Sequence, residues 1–171
     1  MRIIGIDPGE TGAIAIIEKR NLYVVDIPII HTKKVIQTKK GDKRKKGNKR
    51  KAEYDSVGMA NLLAKVTKVQ CHVFIEKVHS MPGQGVASTF NFGMGYGIWI
   101  GILAALKLPH TFVTPQSWKK SLMKGHGDKD AGRLRVLELY PEYHDLFSRK
   151  KDIGRADAVL IATYGKSICE K

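Results

Sequence analysis

The sequence predicts an α/β fold in which a meander of three antiparallel strands is followed by alternating helices and strands. Its 171 residues are enough for one domain with a substantial core, and 43% of them are hydrophobic, as is typical of globular chains. Short runs rich in Ile and Val open the chain, and helix-period segments alternate with apolar runs after residue 54. The resulting order, β-β-β-α-β-α-β-α-α-α, is that of an α/β domain spanning residues 1–171.

The first three strands follow from composition and turns. Arg2–Ile6 is a short apolar run that ends at Asp7-Pro8-Gly9, which predicts a buried strand and a turn. Thr11–Glu18 and Leu22–Ile30 are rich in β-branched residues, and the polar break at 19–21 has the length of a hairpin turn. These runs therefore predict an antiparallel meander.

A strongly basic segment follows the meander. Between Lys33 and Lys51 there are eleven Lys or Arg residues and one Asp, which supply +10 of the formal net charge of +14. The segment has no apolar period, so it is predicted to be an exposed loop inserted at about residues 31–52. Such a run favours a polyanionic partner, either nucleic acid or an anionic membrane surface. The alternative is a solvated loop that only aids solubility.

The later elements alternate between helix and strand. Apolar residues from Met59 to Val66 share one helix face, and Val69–Lys77 resembles a central strand buried on both faces. Phe90–Leu106 predicts a long helix whose four glycines allow the close approach of another backbone. The remaining predicted elements are a strand at Thr111–Val113, a helix starting at Thr114-Pro115, a helix at Asp128–Tyr140 with Leu134, Val136 and Leu137 available to the core, an irregular stretch at Glu142–Asp152, and a helix at Ala156–Tyr164.

Several classes of protein are disfavoured by the sequence. The longest mostly apolar stretch, Ile98–Leu106, is shorter than the roughly 20 residues that span a bilayer. The N-terminal residues do not resemble a secretory signal. Cys71 and Cys169 show no metal-binding spacing and suit a reducing compartment. These features predict a cytoplasmic or a virus- or phage-encoded protein without a membrane partner.

Four acidic residues lie beside apolar elements. Asp7 follows the first strand, and Glu76 ends the fourth. Asp157 lies at the start of the last helix, and Asp152 lies five residues before Asp157. If the first and fourth strands are parallel neighbours, Asp7 and Glu76 share one edge, where close carboxylates require a cation. Hard carboxylate oxygens suit Mg²⁺ or Mn²⁺, and two such ions can promote phosphodiester hydrolysis. Taken singly, each acid also fits an ordinary turn, strand end or helix start.

These motifs resemble those of the RuvC-like Holliday junction resolvases. The similarity rests on Ile3–Gly9, Glu76 and Ala156-Asp157-Ala158, and extends in the same order over nearly the whole chain. The resemblance implies a ribonuclease H-like fold with a mixed five-stranded sheet flanked by helices. It also implies a homodimer that makes paired symmetric nicks in four-way DNA junctions with Mg²⁺ or Mn²⁺, two ions per site. Three further segments are similar to the chloroplast resolvases: Phe92–Gly101, Ser117-Trp118-Lys119 and Lys150–Ala156.

The resemblance also implies roles for individual acids. Asp7, Glu76 and Asp157 would be metal-binding catalytic carboxylates, and Asp152 would be the fourth. In many relatives the last two acids are three residues apart, whereas here they are five apart. On a continuous helix that spacing rotates Asp152 about 140° away from Asp157. Asp152 therefore reaches the site only if Gly154 precedes the helix.

Basic and polar residues are the expected contacts to DNA. Lys119 resembles the lysine at the edge of the family's active site, and is predicted to be catalytic and to hold a phosphate. His79 occupies the place of an aromatic residue that stacks on bases in relatives. Each of these residues also fits an ordinary exposed role. The other predicted DNA contacts are Gln84, Lys129, Lys43, Arg44, Lys45 and Lys46.

Three other functional classes share parts of this pattern. A ribonuclease H-fold nuclease acting on another branched or hybrid substrate would use the same acids. A non-catalytic basic DNA-binding module would keep them for structure. Actin-like ATPases and sugar kinases share the sheet, but they need a second phosphate-binding domain that 171 residues do not supply, so no nucleotide cofactor is predicted.

Overall fold

The computed structural model describes residues 1–33, 50–80, 83–123 and 130–170. In chain order the elements are β1 (Arg2–Ile6), β2 (Ala13–Glu18), β3 (Asn21–Asp26), β4 (Ile29–Lys33), β5 (Arg50–Tyr54), α1 (Ser56–Val66), β6 (Cys71–Glu76), α2 (Val86–Ala105), β7 (His110–Val113), α3 (Pro115–Leu122), α4 (Ala131–Leu139), 3₁₀ turns at Pro141–Phe147 and Lys150–Asp152, and α5 (Ile153–Cys169).

The main sheet has five strands in the order β3-β2-β1-β6-β7. β1 pairs with β2, and β2 with β3, in antiparallel fashion. β6 joins the other side of β1 in parallel, and β7 follows it in parallel. The predicted mixed sheet, a meander followed by parallel strands, is confirmed.

Helices cover both faces of this sheet. On one face the core contains Ile3, Phe74 and much of α5, and on the other it contains Ile4, Met59 and Trp99. Because neighbouring β1 residues point to opposite faces, this short strand contributes to both cores. Its two-sided burial explains why its sequence is almost uninterruptedly apolar.

The predicted strand Leu22–Ile30 is wrong in its second half. β3 ends at Asp26, and β4 starts at Ile29 as part of a separate two-stranded sheet with β5. Pro28 lies at the break, where a missing N–H disfavours continuation of the ladder. The ends of the predicted basic loop are therefore strands of a hairpin. Lys43, Arg44, Lys45 and Lys46 lie outside the described residues.

Helix α2 starts at Val86, earlier than predicted, and is only partly covered. Gly95 packs against the Tyr54 ring, whereas a Cβ at Gly93, Gly97 or Gly101 would meet no atom within 4 Å. Among the described residues it is the one helix long and apolar enough to span a membrane by length and composition, which core helices also satisfy. A second correction concerns α4, where Leu134, predicted for the core, is exposed.

Candidate active site

The ends of two neighbouring parallel strands carry Asp7 and Glu76. In the pairing of β1 with β6, Ile6 lies opposite Ile75. The residues that follow this pair therefore meet at one edge of the sheet. The Asp7 backbone N–H donates to the carbonyl of Ala13 at 3.1 Å, which fixes the chain just beyond the strand.

The turn after β1 holds the Asp7 carboxylate in place. The backbone N–H of Gly9 donates to Asp7 Oδ1 at 3.3 Å. The N–H of Gly12 donates to the Gly9 carbonyl at 2.9 Å and closes the turn. A Cβ on Gly12 would overlap the Asp7 carbonyl oxygen, so only glycine permits this closure.

Helix α5 brings Asp157 to the same site through direct backbone contact with β1. A Cβ on Gly5 would overlap the Ala158 carbonyl oxygen and lie 2.5 Å from the Ala162 nitrogen. The helix therefore rests on the strand without an intervening side chain. On α4, a Cβ on Gly132 would lie 2.9 Å from Asp157 Oδ1, so this helix closely covers the carboxylate.

The three acids and Lys119 form one electrostatic cluster. Burial, and then the negative charges of Asp157 and Glu76, raise the pKa of Asp7 to about 7. Burial raises the pKa of Asp157 to about 6, with Glu76 adding to the shift and Lys119 opposing it. Burial also raises the pKa of Glu76, against the opposing effect of its bond to Trp118 and of Lys119. The cluster therefore holds more negative charge than its single lysine balances.

Helix α3 supplies both groups that oppose these shifts. Its Thr114 cap accepts a hydrogen bond from the Ser117 N–H at 3.3 Å. Trp118 is fully buried, and its indole Nε1 donates to Glu76 Oε1 at 2.9 Å. Lys119 lies with Nζ 5.1 Å from the centroid of that indole and keeps an exposed side chain. Sequence reasoning assigned no role to Trp118, although the segment that carries it contributed to the resemblance.

The donor set has the chemistry of a site for a hard divalent cation. Three carboxylates can supply oxygen ligands, and burial raises the pKa values of Asp7 and Asp157 although the charge of Lys119 opposes the shift. Within the described residues, no three His, Cys, Asp or Glu side chains lie at the spacing needed to hold one ion. The acids therefore fit a divalent metal in their chemistry and mutual electrostatic influence, although their side chains do not surround an ion in this structure.

Asp152 is held by a different set of partners. Its side chain is 3% exposed, and it accepts hydrogen bonds from the Arg149 backbone N–H at 2.9 Å and from Arg149 Nη2 at 2.7 Å. Arg155 Nη1 is 3.9 Å from Asp152 Oδ1, and Arg155 also binds both carboxylate oxygens of Asp26. The structure therefore places Asp152 in an arginine network and does not bring it into the cluster with Asp157.

The start of α5 explains this placement. The helix begins at Ile153, so Gly154 lies inside it and the condition for Asp152 to reach the site is not met. Gly154 itself stands three residues before Asp157, the position at which the resemblance led us to expect an acid. A Cβ at this position would overlap the Thr11 carbonyl oxygen, so the packing leaves no room for a side chain there.

The remaining predicted DNA contacts lie outside the cluster or outside the described residues. His79 and Gln84 are both exposed in the connection between β6 and α2. Lys129, like the four basic residues at 43–46, is not among the described residues.

Comparison with known proteins gives similarities at two levels. No family model matches the chain. The chloroplastic Holliday junction resolvase MOC1 of Chlamydomonas reinhardtii is 28% identical over 102 residues, which is 59% of this chain and 12% of that protein. The chain thus spans about an eighth of the length of this curated relative.

Solved structures match almost the whole chain. Thermus thermophilus RuvC superposes with a TM-score of 0.57 at 14% identity, over 99% of this chain and 97% of that one. T. thermophilus RuvC in complex with a Holliday junction substrate gives a TM-score of 0.58 at 13% identity, over 99% and 95%. Both comparisons agree with the resemblance predicted from the motifs. The chain therefore has the ribonuclease H-like fold of the RuvC structures.

Proposed function

We propose that the chain is a metal-dependent, structure-selective DNA endonuclease that resolves Holliday junctions by paired symmetric nicks. The observation that carries the proposal is the cluster of Asp7, Glu76, Asp157 and Lys119, whose members influence one another's charge at one edge of the sheet. Two similar proteins also support the proposal: one is a Holliday junction resolvase, and the other is a RuvC whose structure was solved with a junction substrate.

Asp7, Glu76 and Asp157 would hold the metal, Mg²⁺ or Mn²⁺, as two ions per site. Two divalent ions, when bound, supply an activated water and stabilise the leaving oxygen of the cleaved phosphodiester. Trp118 fixes one oxygen of Glu76 by its indole N–H, so the other oxygen is left to bind metal. The Lys119 ammonium, which acts electrostatically on Asp7, would balance negative charge that develops on a phosphate held at the cluster. We do not expect Asp152 to bind the metal, because its carboxylate already accepts hydrogen bonds from Arg149.

Positive charge elsewhere would hold the junction arms. The basic segment between Lys33 and Lys51 carries eleven basic residues, and lysine-rich segments of this kind bind the DNA backbone without reading sequence. His79 and Gln84, exposed between β6 and α2, would contact bases or backbone near the crossover. Lys129 would add a phosphate contact.

The decisive experiment compares substrates, metals and one variant. The protein and its Asp7→Asn variant are incubated with labelled four-way junctions, linear duplex and RNA–DNA hybrid, with Mg²⁺ or with chelator. We expect symmetric nicking of the junction alone, with 5′-phosphate and 3′-hydroxyl ends, only in metal and only by the unchanged protein. Cleavage confined to the hybrid would assign another ribonuclease H-fold activity. Binding without cleavage in Mg²⁺ would identify a DNA-binding module.

We also propose that two copies pair through the exposed face of α2. This helix contains no charged residue. Phe90 is 69% exposed and Met94 is 40% exposed, and the space beside Gly93 and Gly97 is open. Small residues allow a second helix to approach closely, and a two-fold dimer would place two active sites on two strands.

Gly97→Glu is expected to convert the dimer to a monomer. A Cβ at this position would meet no atom within 4 Å in the protomer, and glutamate is a better helix former than glycine, so folding should survive. A charge buried in an apolar interface would oppose association. Sedimentation over a range of concentrations measures the change. Val57→Glu, at an exposed α1 position, is the control, and a dimer that persists in Gly97→Glu would rule out this face.

A further inference from the structure

A small cleft lies beside the turn that carries Asp7, and Glu76, Asp157 and Lys119 do not line it. It has a volume of about 200 Å³. Its walls come from the turn after β1, the end of β5 and the first half of α2. The lining residues are Glu10, Tyr54, Ser88, Asn91 and Phe92.

The cleft is close enough to Asp7 to hold part of a substrate bound there. A Cβ at Gly9 would lie 3.6 Å from Asp7 Oδ1 and 3.8 Å from the Phe92 ring. The carboxylate and the aromatic edge are therefore neighbours across a single glycine. A phosphate held at Asp7 would place its adjoining nucleotide within reach of this ring.

The side chains in the cleft combine an aromatic surface with hydrogen-bonding groups. Phe92 is partly exposed, and aromatic rings of this kind stack on unpaired bases. The Asn91 amide both donates and accepts, whereas the exposed Glu10 carboxylate only accepts. Burial and the charges of Glu10 and Asp7 raise the pKa of Tyr54 to about 12, so its hydroxyl remains a donor at neutral pH. An aromatic surface for stacking, together with groups that can hydrogen-bond to the edge of a base, is typical of a site that binds a nucleobase.

We propose that this cleft binds the nucleobase beside the cleaved phosphate and disfavours thymine there. Glu10 can only accept hydrogen bonds, and adenine, cytosine and guanine each offer it an exocyclic amine. The one edge donor of thymine, N3–H, lies between two carbonyl oxygens that repel a carboxylate. A thymine carbonyl facing Glu10 would place two acceptors together without a proton between them. The inference rests on the proposed nuclease function, because it concerns the base that flanks the scissile bond.

The test uses four junctions, each with the same base on both sides of the nicked phosphate, which differ only in that base. We expect the wild-type protein in Mg²⁺ to cleave the thymine junction at least about fivefold more slowly than the others, the discrimination typical of one base-edge contact. Glu10→Gln should remove this difference, because the new amide can donate to the thymine carbonyl. Asn91→Ala should slow cleavage of all four junctions and reduce discrimination. The exposed Glu142→Gln is the matched control and should keep the wild-type preference.

The outcomes separate this inference from the function on which it rests. If the wild-type protein cleaves no junction, both fail. If it cleaves all junctions at equal rates, or if Glu10→Gln keeps the preference against thymine, the nuclease function stands and the base site is wrong. If Glu10→Gln abolishes cleavage of every junction and weakens Mn²⁺ binding measured by calorimetry, Glu10 serves the metal cluster and the base site is again wrong.

Discussion

Asp7→Asn is expected to stabilise the metal-free protein while it abolishes cleavage. Burial and two neighbouring acids raise the pKa of Asp7 from 3.8 to about 7. Such a carboxylate destabilises the folded state as the pH rises from the unfolded-state pKa toward the folded-state pKa. At pH 7.5, replacing the charge with an amide should raise the free energy of unfolding by about 1–3 kcal/mol. Loss of a metal-binding group should lower the cleavage rate by at least about 1,000-fold.

Urea unfolding in chelator at pH 7.5 and pH 5.0 checks this prediction. The stability gain should shrink at pH 5.0, where the wild-type Asp7 is already mostly protonated. Mg²⁺ should stabilise the wild-type protein and leave Asp7→Asn nearly unchanged. Asp145→Asn, on an exposed residue, is the control. A variant less stable than wild type at both pH values would show that Asp7 is not under electrostatic repulsion.

Asp152→Ala is expected to destabilise the fold strongly and to leave metal affinity unchanged in the protein that remains folded. The buried carboxylate satisfies the Arg149 backbone N–H and its guanidinium, and lies near Arg155. Removing it leaves a backbone donor and an arginine without their acceptor, at a cost of about 2–4 kcal/mol. The arginine also holds the pKa of Asp152 below its ordinary value. Its contribution to stability is therefore present above pH 4 and is lost in stronger acid, opposite in sign to that of Asp7.

Thermal unfolding, together with Mn²⁺ calorimetry below the melting temperature, separates the two roles considered for Asp152. Asp152→Asn keeps the shape and part of the hydrogen bonding, so it should lose less stability than the alanine variant. Asp145→Ala serves as the exposed control. A well-folded Asp152 variant with weakened Mn²⁺ binding would show that Asp152 is a metal ligand after all.

The sheet and the three clustered acids were predictable because their signals are local. Apolar runs define β1 and β6, and an acid directly beyond each run must lie at the edge where parallel strands end. Asp157 follows from its position at the start of an apolar helix, which packs on that sheet. No long-range side-chain detail enters these predictions.

Features that depend on the exact start of an element or on distant packing were not predictable. Asp152 belongs to the arginine network because α5 starts at Ile153, one residue after it. The break at Pro28 has a local signal in the missing N–H, but the pairing of β4 with β5, which follows the basic segment, has none. Trp118 contacts Glu76 across 42 positions of sequence, a pairing that neither periodicity nor composition encodes.

The close contact between α5 and the sheet fixes how far apart the acids of the candidate active site lie. Gly5, Gly154 and Gly165 lie along it, and a Cβ at any of them would overlap backbone or the Phe74 ring. Asp157 on the helix and Asp7 just beyond the strand therefore lie as close as they do because these three glycines have no side chains. Chains that diverge from this one are expected to hold these glycines as tightly as the acids, and a designer who wished to widen the gap between the two carboxylates would begin with alanine at Gly5.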